Sequence, residues 1–222
     1  MVSALAVFLG LFSACAVRRE AIAVAREQLF TLGYGKAEDQ VDLFQTASSH
    51  TPLKTRFAMR EGIFYVANGA GARITRFSSF GDVLSMLYNP DYNPEPLLLK
   101  AQSDKGAAGR RAIQYPFRAV GEVAVDSRQN IFVEDRLPVE RRVFDKDLDA
   151  MLDHVVLRFD KDGNSLDYLG QDGVGGTPFP FIENIYVTAS DDCVVVAVTQ
   201  TNWVVDWFDP KGFVRHSLRI RR

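Results

Sequence analysis

"RFDKDG" at residues 158–163 and "WFDPKG" at residues 207–212 decide the fold between them. Each joins an apolar alternating run, "HVVLRF" (154–159) or "NWVVDWF" (202–208), to a second one, "NSLDYLG" (164–170) or "FVRHSLRI" (213–220). A looser copy, "FSSFG" (77–81), lies between "ARITRF" (72–77) and "DVLSMLY" (82–88). Side chains alternate across a strand, and a glycine closing a polar turn supplies positive φ, so Phe-x-x-x-Gly between two alternating runs predicts a hairpin. Upstream of each hairpin stand two more strand-like runs. They are "KTRFAMR" and "GIFYVAN" (54–60, 62–68), "EVAVD" and "NIFVED" (122–126, 130–135), and "ENIYVTA" and "CVVVAVT" (183–189, 193–199).

The chain thus contains three units of four short strands each. Units of that kind, recurring at about 40–50 residues, are the signature of β-propeller blades. The expected fold class is all-β: three recognisable four-stranded blades at about 55–88, 121–170 and 183–220, within a segment spanning 51–222. Closed propellers have about four to eight blades. Three therefore imply an incomplete six- or seven-bladed ring, with premature termination of the reading frame as the favoured explanation, or self-association through open blade faces. In detail, "GIFYVANGAGARITRFSSFGDVL" (62–84) resembles an NHL-type repeat, and "YLGQDGVGGTPFPFIENIYV" (168–187) resembles the linker between NHL blades. The resemblance covers roughly residues 55–219 and implies a rigid platform more than a reaction.

The opening "MVSALAVFLGLFSACAVRRE" reads as an address. Residues 4–12 are apolar, too few for a permanent span, which takes about 20 residues, and match a signal peptide's apolar core. "LFSAC" (11–15) resembles the lipobox of bacterial lipoproteins, with Leu11, Ser13, Ala14 and Cys15 in place. Phe12 departs from the usual residue in a manner familiar among spirochaetal lipoproteins, and Met1-Val2-Ser3 lacks the positive n-region. The resemblance implies a lipoprotein signal peptide over 1–14, removed to leave an acylated (palmitate-bearing) Cys15 that holds the domain on a membrane of the bacterial cell envelope, inner or outer. Residues 15–50 are then tether and lead-in. The pattern of "REAIAVAREQLF" (19–30) predicts a short amphipathic helix, and Gly33 and Gly35 break the stretch beyond it.

Charge and motifs narrow the chemistry. A net charge of −2, from 26 basic and 28 acidic residues, gives no field for nucleic acid, and the basic pairs are scattered. Cys193 lies in an apolar run, where a thiol behaves as a small hydrophobe. The first insertion, residues 89–116, starts with Pro90, Pro94 and Pro96 and reads as a connector. The second, residues 138–154, interrupts the second unit between its second and third strands. Its Asp145, Asp147 and Asp149 begin like a calcium loop, but Ala150 replaces the needed glycine and Val156 the bidentate glutamate. "GAGAR" (69–73) has strands on both sides and reads as a hairpin turn rather than a cofactor loop. His50, His154 and His216 are isolated in sequence, and neither a nucleophile elbow nor a zinc motif is present.

No catalytic residue, metal or cofactor is therefore expected. The channel-mouth candidates are Glu134 and Asp135, just after an inner strand. The reading is a membrane-anchored envelope lipoprotein whose propeller binds a protein partner. The alternatives are a propeller enzyme acting on an envelope peptide or glycan at the channel mouth, or a truncated non-functional product. An enzyme would gather carboxylates and histidines at one end of the channel.

Overall fold

The computed structural model describes residues 26–43, 53–101 and 110–222. The signal-peptide residues, Cys15, the first part of the expected helix, His50 and the centre of the first insertion lie outside the described residues. The rest is all-β. In the lead-in, β1 (Gly33–Tyr34) and β2 (Gln40–Val41) form a small parallel pair. The first sheet is built from β3 (Thr55–Arg60), β4 (Ile63–Asn68), β5 (Arg73–Phe77) and β6 (Val83–Tyr88), antiparallel in chain order. The first insertion adds β7 (Lys100–Ala101) and β8 (Arg111–Gln114), with β8 running parallel to β6 at the outer edge. The insertion is thus not a simple connector, because "RAIQ" completes the hydrogen-bonding row that β6 would otherwise leave open.

The second sheet holds β9 (Val123–Val125) and β10 (Ile131–Arg136). A 3-10 turn (Val139–Arg141) and a separate hairpin, β11 (Val143–Asp145) with β12 (Ala150–Leu152), then intervene. The sheet resumes with β13 (His154–Phe159), β14 (Ser165–Gly170) and the short β15 (Gly173–Val174). The third sheet is β16 (Phe181–Val187), β17 (Cys193–Val198), β18 (Asn202–Phe208) and β19 (Val214–Arg221). Every expected strand segment is a strand, each sheet is antiparallel through its four repeat strands, and no sheet closes on itself.

One turn is used five times. At 78–82, 126–130, 160–164, 188–192 and 209–213 the first residue exchanges backbone hydrogen bonds of 2.8–3.1 Å with the fourth and fifth. The side-chain oxygen of that first residue (Ser78, Asp126, Asp160, Thr188 or Asp209) accepts backbone N–H groups within the turn. The fourth residue takes positive φ: Gly81, Gly163 and Gly212 in the hairpins of the Phe-x-x-x-Gly repeat, but Gln129 and Asp191 in the other two. Glycine adopts that conformation without a Cβ clash.

The sheets stack in chain order. Tyr65, Ile74 and Leu87 of the first pack on Val133, Leu157 and Phe159 of the second. Phe132, Val156 and Leu169, on the other side of the second, pack on Ile182, Val195 and Phe208 of the third. The first strands lie side by side, β9 touching both β3 and β16. A phenylalanine from outside the sheets fills a slot against each repeat phenylalanine. The ring pairs are Phe30 with Phe77 at 6.0 Å, Phe117 with Phe159 at 5.7 Å, and Phe179 with Phe208 at 6.2 Å.

The lead-in is not helical over its described residues 26–43. An extended chain places Phe30 and Leu32 on one side, where both pack on the outer face of the first sheet. Arg73, 1% exposed, fixes this arrangement. Its guanidinium donates to the carbonyls of Lys36 (2.7 Å) and Gln40 (2.8 Å) and to Asn93 Oδ1 (3.0 Å). "GAGAR" is therefore the β4–β5 turn plus the anchor of the lead-in.

Candidate functional site

Where the first strands gather, charged side chains are buried together. Lys54, just before β3, places Nζ 2.8 Å from Glu134 Oε2 and 3.3 Å from Glu122 Oε1. The same ammonium donates to the carbonyl of Ile182 at 2.5 Å and lies 4.4 Å from the centre of the Phe181 ring. It therefore joins all three sheets. Arg56 Nε reaches Glu122 Oε1 at 2.8 Å. These last two residues hold the same place in the first and second units, with opposite charge.

Glu134 also accepts the Glu122 backbone N–H at 2.9 Å, and its Oε1 lies 3.4 Å from His154 Nε2. A Cβ at Gly121 would run into the Glu134 carboxylate, so glycine is needed there for the approach. On the far side of His154, Nδ1 lies 2.7 Å from Asp153 Oδ1. Asp153 Oδ2 receives Arg136 at 2.9 Å and lies 3.7 Å from Arg142. Burial raises the Asp153 pKa, but the adjacent His154 ring and the charges of Arg136 and Arg142 outweigh it and leave it below the usual value.

Glu134 thus lies in the cluster. Asp135 does not: adjacent strand residues point to opposite faces. Its Oδ1 accepts the backbone N–H groups of Arg118 (3.0 Å) and Ala119 (2.7 Å), which pins the entry to β9. Burial pushes its pKa up to about 6, with those hydrogen bonds pulling the other way. His154, an ordinary edge residue by its sequence, is 3% exposed and central. Its signal lies in the pairing of β10 with β13, which puts it opposite Arg136 and two residues from Glu134. His216 is on exposed β19, beside Trp207. Cys193 is a free, buried thiol, and burial pushes its pKa to about 12, so it is inert.

The cavity beside Lys54, Glu134, His154 and Phe181 is only about 20 Å³, room for roughly one water. Each of the cluster's carboxylates is engaged by a cation. The arrangement clasps the sheets together. A larger cavity of about 520 Å³ opens under the first insertion, lined by Tyr88, Asn93, Glu95, Leu99 and Gln114. There Asn93 is already spent on the carbonyls of Gly71 and Asn89. The aspartates that begin like a calcium loop stand apart. Asp145 caps the backbone N–H groups of Asp147 and Leu148 at the tip of the β11–β12 hairpin, and Asp149 takes the positive-φ position there. Among the described residues no group of acidic, histidine or cysteine side chains is arranged to hold a metal.

Among the described residues, apolar surface is exposed in the inserted segment, on the outer face of the third sheet and on β3 of the first. The inserted segment exposes Val139, Val143, Phe144 and Met151, Phe144 and Met151 being cross-strand partners. Its base is fixed by buried Leu148 and Leu152 and by Arg136 and Arg142 on Asp153. The second surface is the outer face of the third sheet. There Trp207 pairs with Val194 and His216, Val205 with Val196 and Leu218, and Trp203 with Val198 and Ile220. No family model matches the chain, and no curated protein is significantly similar to it.

Proposed function

We propose that this chain is a lipid-anchored envelope protein of the spirochaete type, whose NHL-like propeller blades form a rigid scaffold for a protein partner. The observation that carries the binding reading is the inserted hairpin: exposed Val139, Phe144 and Met151 stand on a base locked by Asp153 and its two arginines. Apolar side chains held out on a rigid support are what a protein interface needs, because little entropy is lost when the partner arrives. The partner is a protein of the envelope rather than nucleic acid, given a net charge of −2. The propeller reading is supported by three stacked antiparallel sheets whose first strands lie side by side. Anchoring through acylated Cys15 is carried by the resemblance of "LFSAC" to a lipobox. Two acyl chains, at about 0.8 kcal/mol for each buried CH₂, hold such a domain on a bilayer.

In-cell cross-linking tests this reading. A partner captured by the native chain is expected to be lost in Phe144→Ser/Met151→Ser and kept in Leu166→Ser, an exposed control on β14. Cys15→Ala is expected to leave the membrane fraction. Turnover of an envelope peptide or glycan, abolished by Glu134→Gln, would replace the scaffold with an enzyme.

A further inference from the structure

We infer that a cavity between the first and second sheets binds a phosphate group. It has a volume of about 230 Å³ and lies beside the 126–130 and 160–164 turns of the second sheet. Strand register builds its wall. Ser85 on β6 stands directly opposite Arg76 on β5 and directly opposite Arg111 on β8. Each lies two residues from a side chain packed towards the second sheet: Ile74 for Arg76, Leu87 for Ser85 and Ile113 for Arg111. Side chains two apart share a face, so all three turn the same way. A hydroxyl is thus flanked by two arginines, each rooted one strand spacing of about 4.8 Å away.

Few of these groups are satisfied by an opposite charge. Arg76 donates to the Lys161 carbonyl at 2.8 Å and to Gln129 Oε1 at 3.1 Å, and it lies 5.3 Å from the centre of the Tyr65 ring. Those partners are neutral, so its charge is not cancelled by them. Ser85 is 8% exposed, and its hydroxyl has no partner among the described residues, although a buried hydroxyl normally finds one. Arg111 meets Asp162 at 3.3 Å on the rim, where both side chains are over 40% exposed and water and salt screen the pair. Most of its guanidinium fork stays open. Gln129 spends its oxygen on Arg76 and keeps its NH₂ as a donor. The other carboxylate in the lining, Asp160, is held by the backbone N–H groups of Asp162 and Asn164 and by the Asn164 amide.

The site is therefore rich in donors and poor in free acceptors. The matching ligand is an anion that only accepts hydrogen bonds. Phosphate presents oxygens on several sides and can meet the arginine fork and the hydroxyl together, whereas a carboxylate offers two oxygens in one plane. Leu87, Ile113 and Ile131 add an apolar wall against which the carbon part of an organic phosphate would rest. Sheet stacking does not itself require this set. At the next junction Arg158 holds the place of Arg76 and reaches the Lys211 carbonyl at 3.5 Å. Yet Leu166 stands opposite it in place of Ser85, and β15, beyond β14, carries Gly173 and Val174 with no arginine.

Calorimetric titration of the full chain with inorganic phosphate, at fixed ionic strength, tests the site. The expected result is one saturable site. Arg111→Gln should weaken it about tenfold or more, the scale of a hydrogen bond to a charged partner, and Ser85→Ala several-fold. Arg111→Lys, which keeps the charge but not the fork, should fall between Arg111→Gln and the native chain. Asp162→Asn should tighten binding by freeing Arg111, and Arg221→Gln, an exposed arginine on β19, should change nothing. All five variants should keep the native circular dichroism. Phenyl phosphate separates the two sources of the group: tighter binding than inorganic phosphate supports an organic phosphate against the apolar wall, and equal or weaker binding supports the free anion. Absence of saturable binding overturns the assignment. So does an affinity untouched by both Arg111→Gln and Ser85→Ala, or one lowered as much by Arg221→Gln, which means diffuse attraction to positive charge. Weaker binding in Asp162→Asn overturns it as well, because the carboxylate would then be a ligand contact.

Discussion

The three sheets are tied together in two places, and the two ties work differently. Across the body of the stack the bond is aromatic, a phenylalanine slotted against a repeat phenylalanine at each junction. At the end where the first strands meet, the bond is ionic, with Lys54 reaching both other sheets. The aromatic tie gains from every square ångström it buries. The ionic tie starts from a desolvation deficit and recovers it only if all partners are present. The first is tolerant and additive, the second all-or-none.

The difference is sharpest in the largest expected effect. Phe159→Ala removes a ring that contacts both Tyr115 and Phe117, and denaturant unfolding should record a loss towards the upper end of ~3–5 kcal/mol. Lys54→Met should cost nearer the lower end of ~3–5 kcal/mol, because His154 and Arg56 remain beside the stranded carboxylates. The comparison breaks or holds on the double variant. Lys54→Met/Glu134→Leu should recover most of that loss, whereas combining Phe159→Ala with Phe117→Ala should recover none.

Asp135 gives the next effect. Asp135→Ala leaves two backbone N–H groups without an acceptor, a loss of ~1–3 kcal/mol. Asp135→Asn keeps an acceptor oxygen but removes the titration. In the native chain the folded pKa of about 6 stands above the ordinary 3.8, so the folded state binds more protons between those values. This group then adds stability as pH falls from about 6 towards 3.8 and withdraws it as pH rises through 6. Asp153 has the opposite sign: its lowered pKa gives stability above the ordinary value that is lost on acidification. Unfolding of the native chain and of Asp135→Asn, compared from about pH 4 to 7, should differ by the Asp135 contribution alone.

The smallest effects belong to the repeated turn. Gly163→Ala forces a Cβ into a conformation with φ of 83° and against the tip of Ile113, and thermal melting should register ~1–2 kcal/mol of destabilisation. Gln129→Gly, at φ of 64° in the same turn, should shift the melt by less than about 1 kcal/mol, upwards.

Those two turn positions also show where the sequence stops being readable. The hairpins closed by Gly81, Gly163 and Gly212 are legible because glycine marks positive φ. The equivalent turns at Gln129 and Asp191 carry no such mark, although Asp126 and Thr188 at their starts are the side chains that cap them. Strands are legible through alternation. The slot residues Phe30, Phe117 and Phe179 are not, since they come from irregular segments with no period. The sequence reads as helical over 19–30, yet the described residues 26–32 are not helical, because Phe30 and Leu32 answer to the sheet beneath them rather than to their neighbours in the chain.

Within the site, Glu134 joins the buried charged cluster, and Asp135 turns away from it to the backbone N–H groups of Arg118 and Ala119. Strand parity alone separates them, as neighbours on a strand face opposite sides of the sheet. Lys54 and His154 escape a linear reading because only tertiary pairing brings them to Glu134.

Lys54 finds its partners very late in the life of the chain. Glu134 lies 80 residues further on and the Ile182 carbonyl 128. At about 5–20 residues per second of synthesis, on the order of ten seconds separates the emergence of Lys54 from that of its last partner. Throughout that interval the ammonium stays hydrated, and the first sheet must hold without it. Contacts of such long separation carry a large loop-closure cost, which must be met before they can add stability. The clasp is therefore a latch that closes only on a chain already made as far as its third sheet.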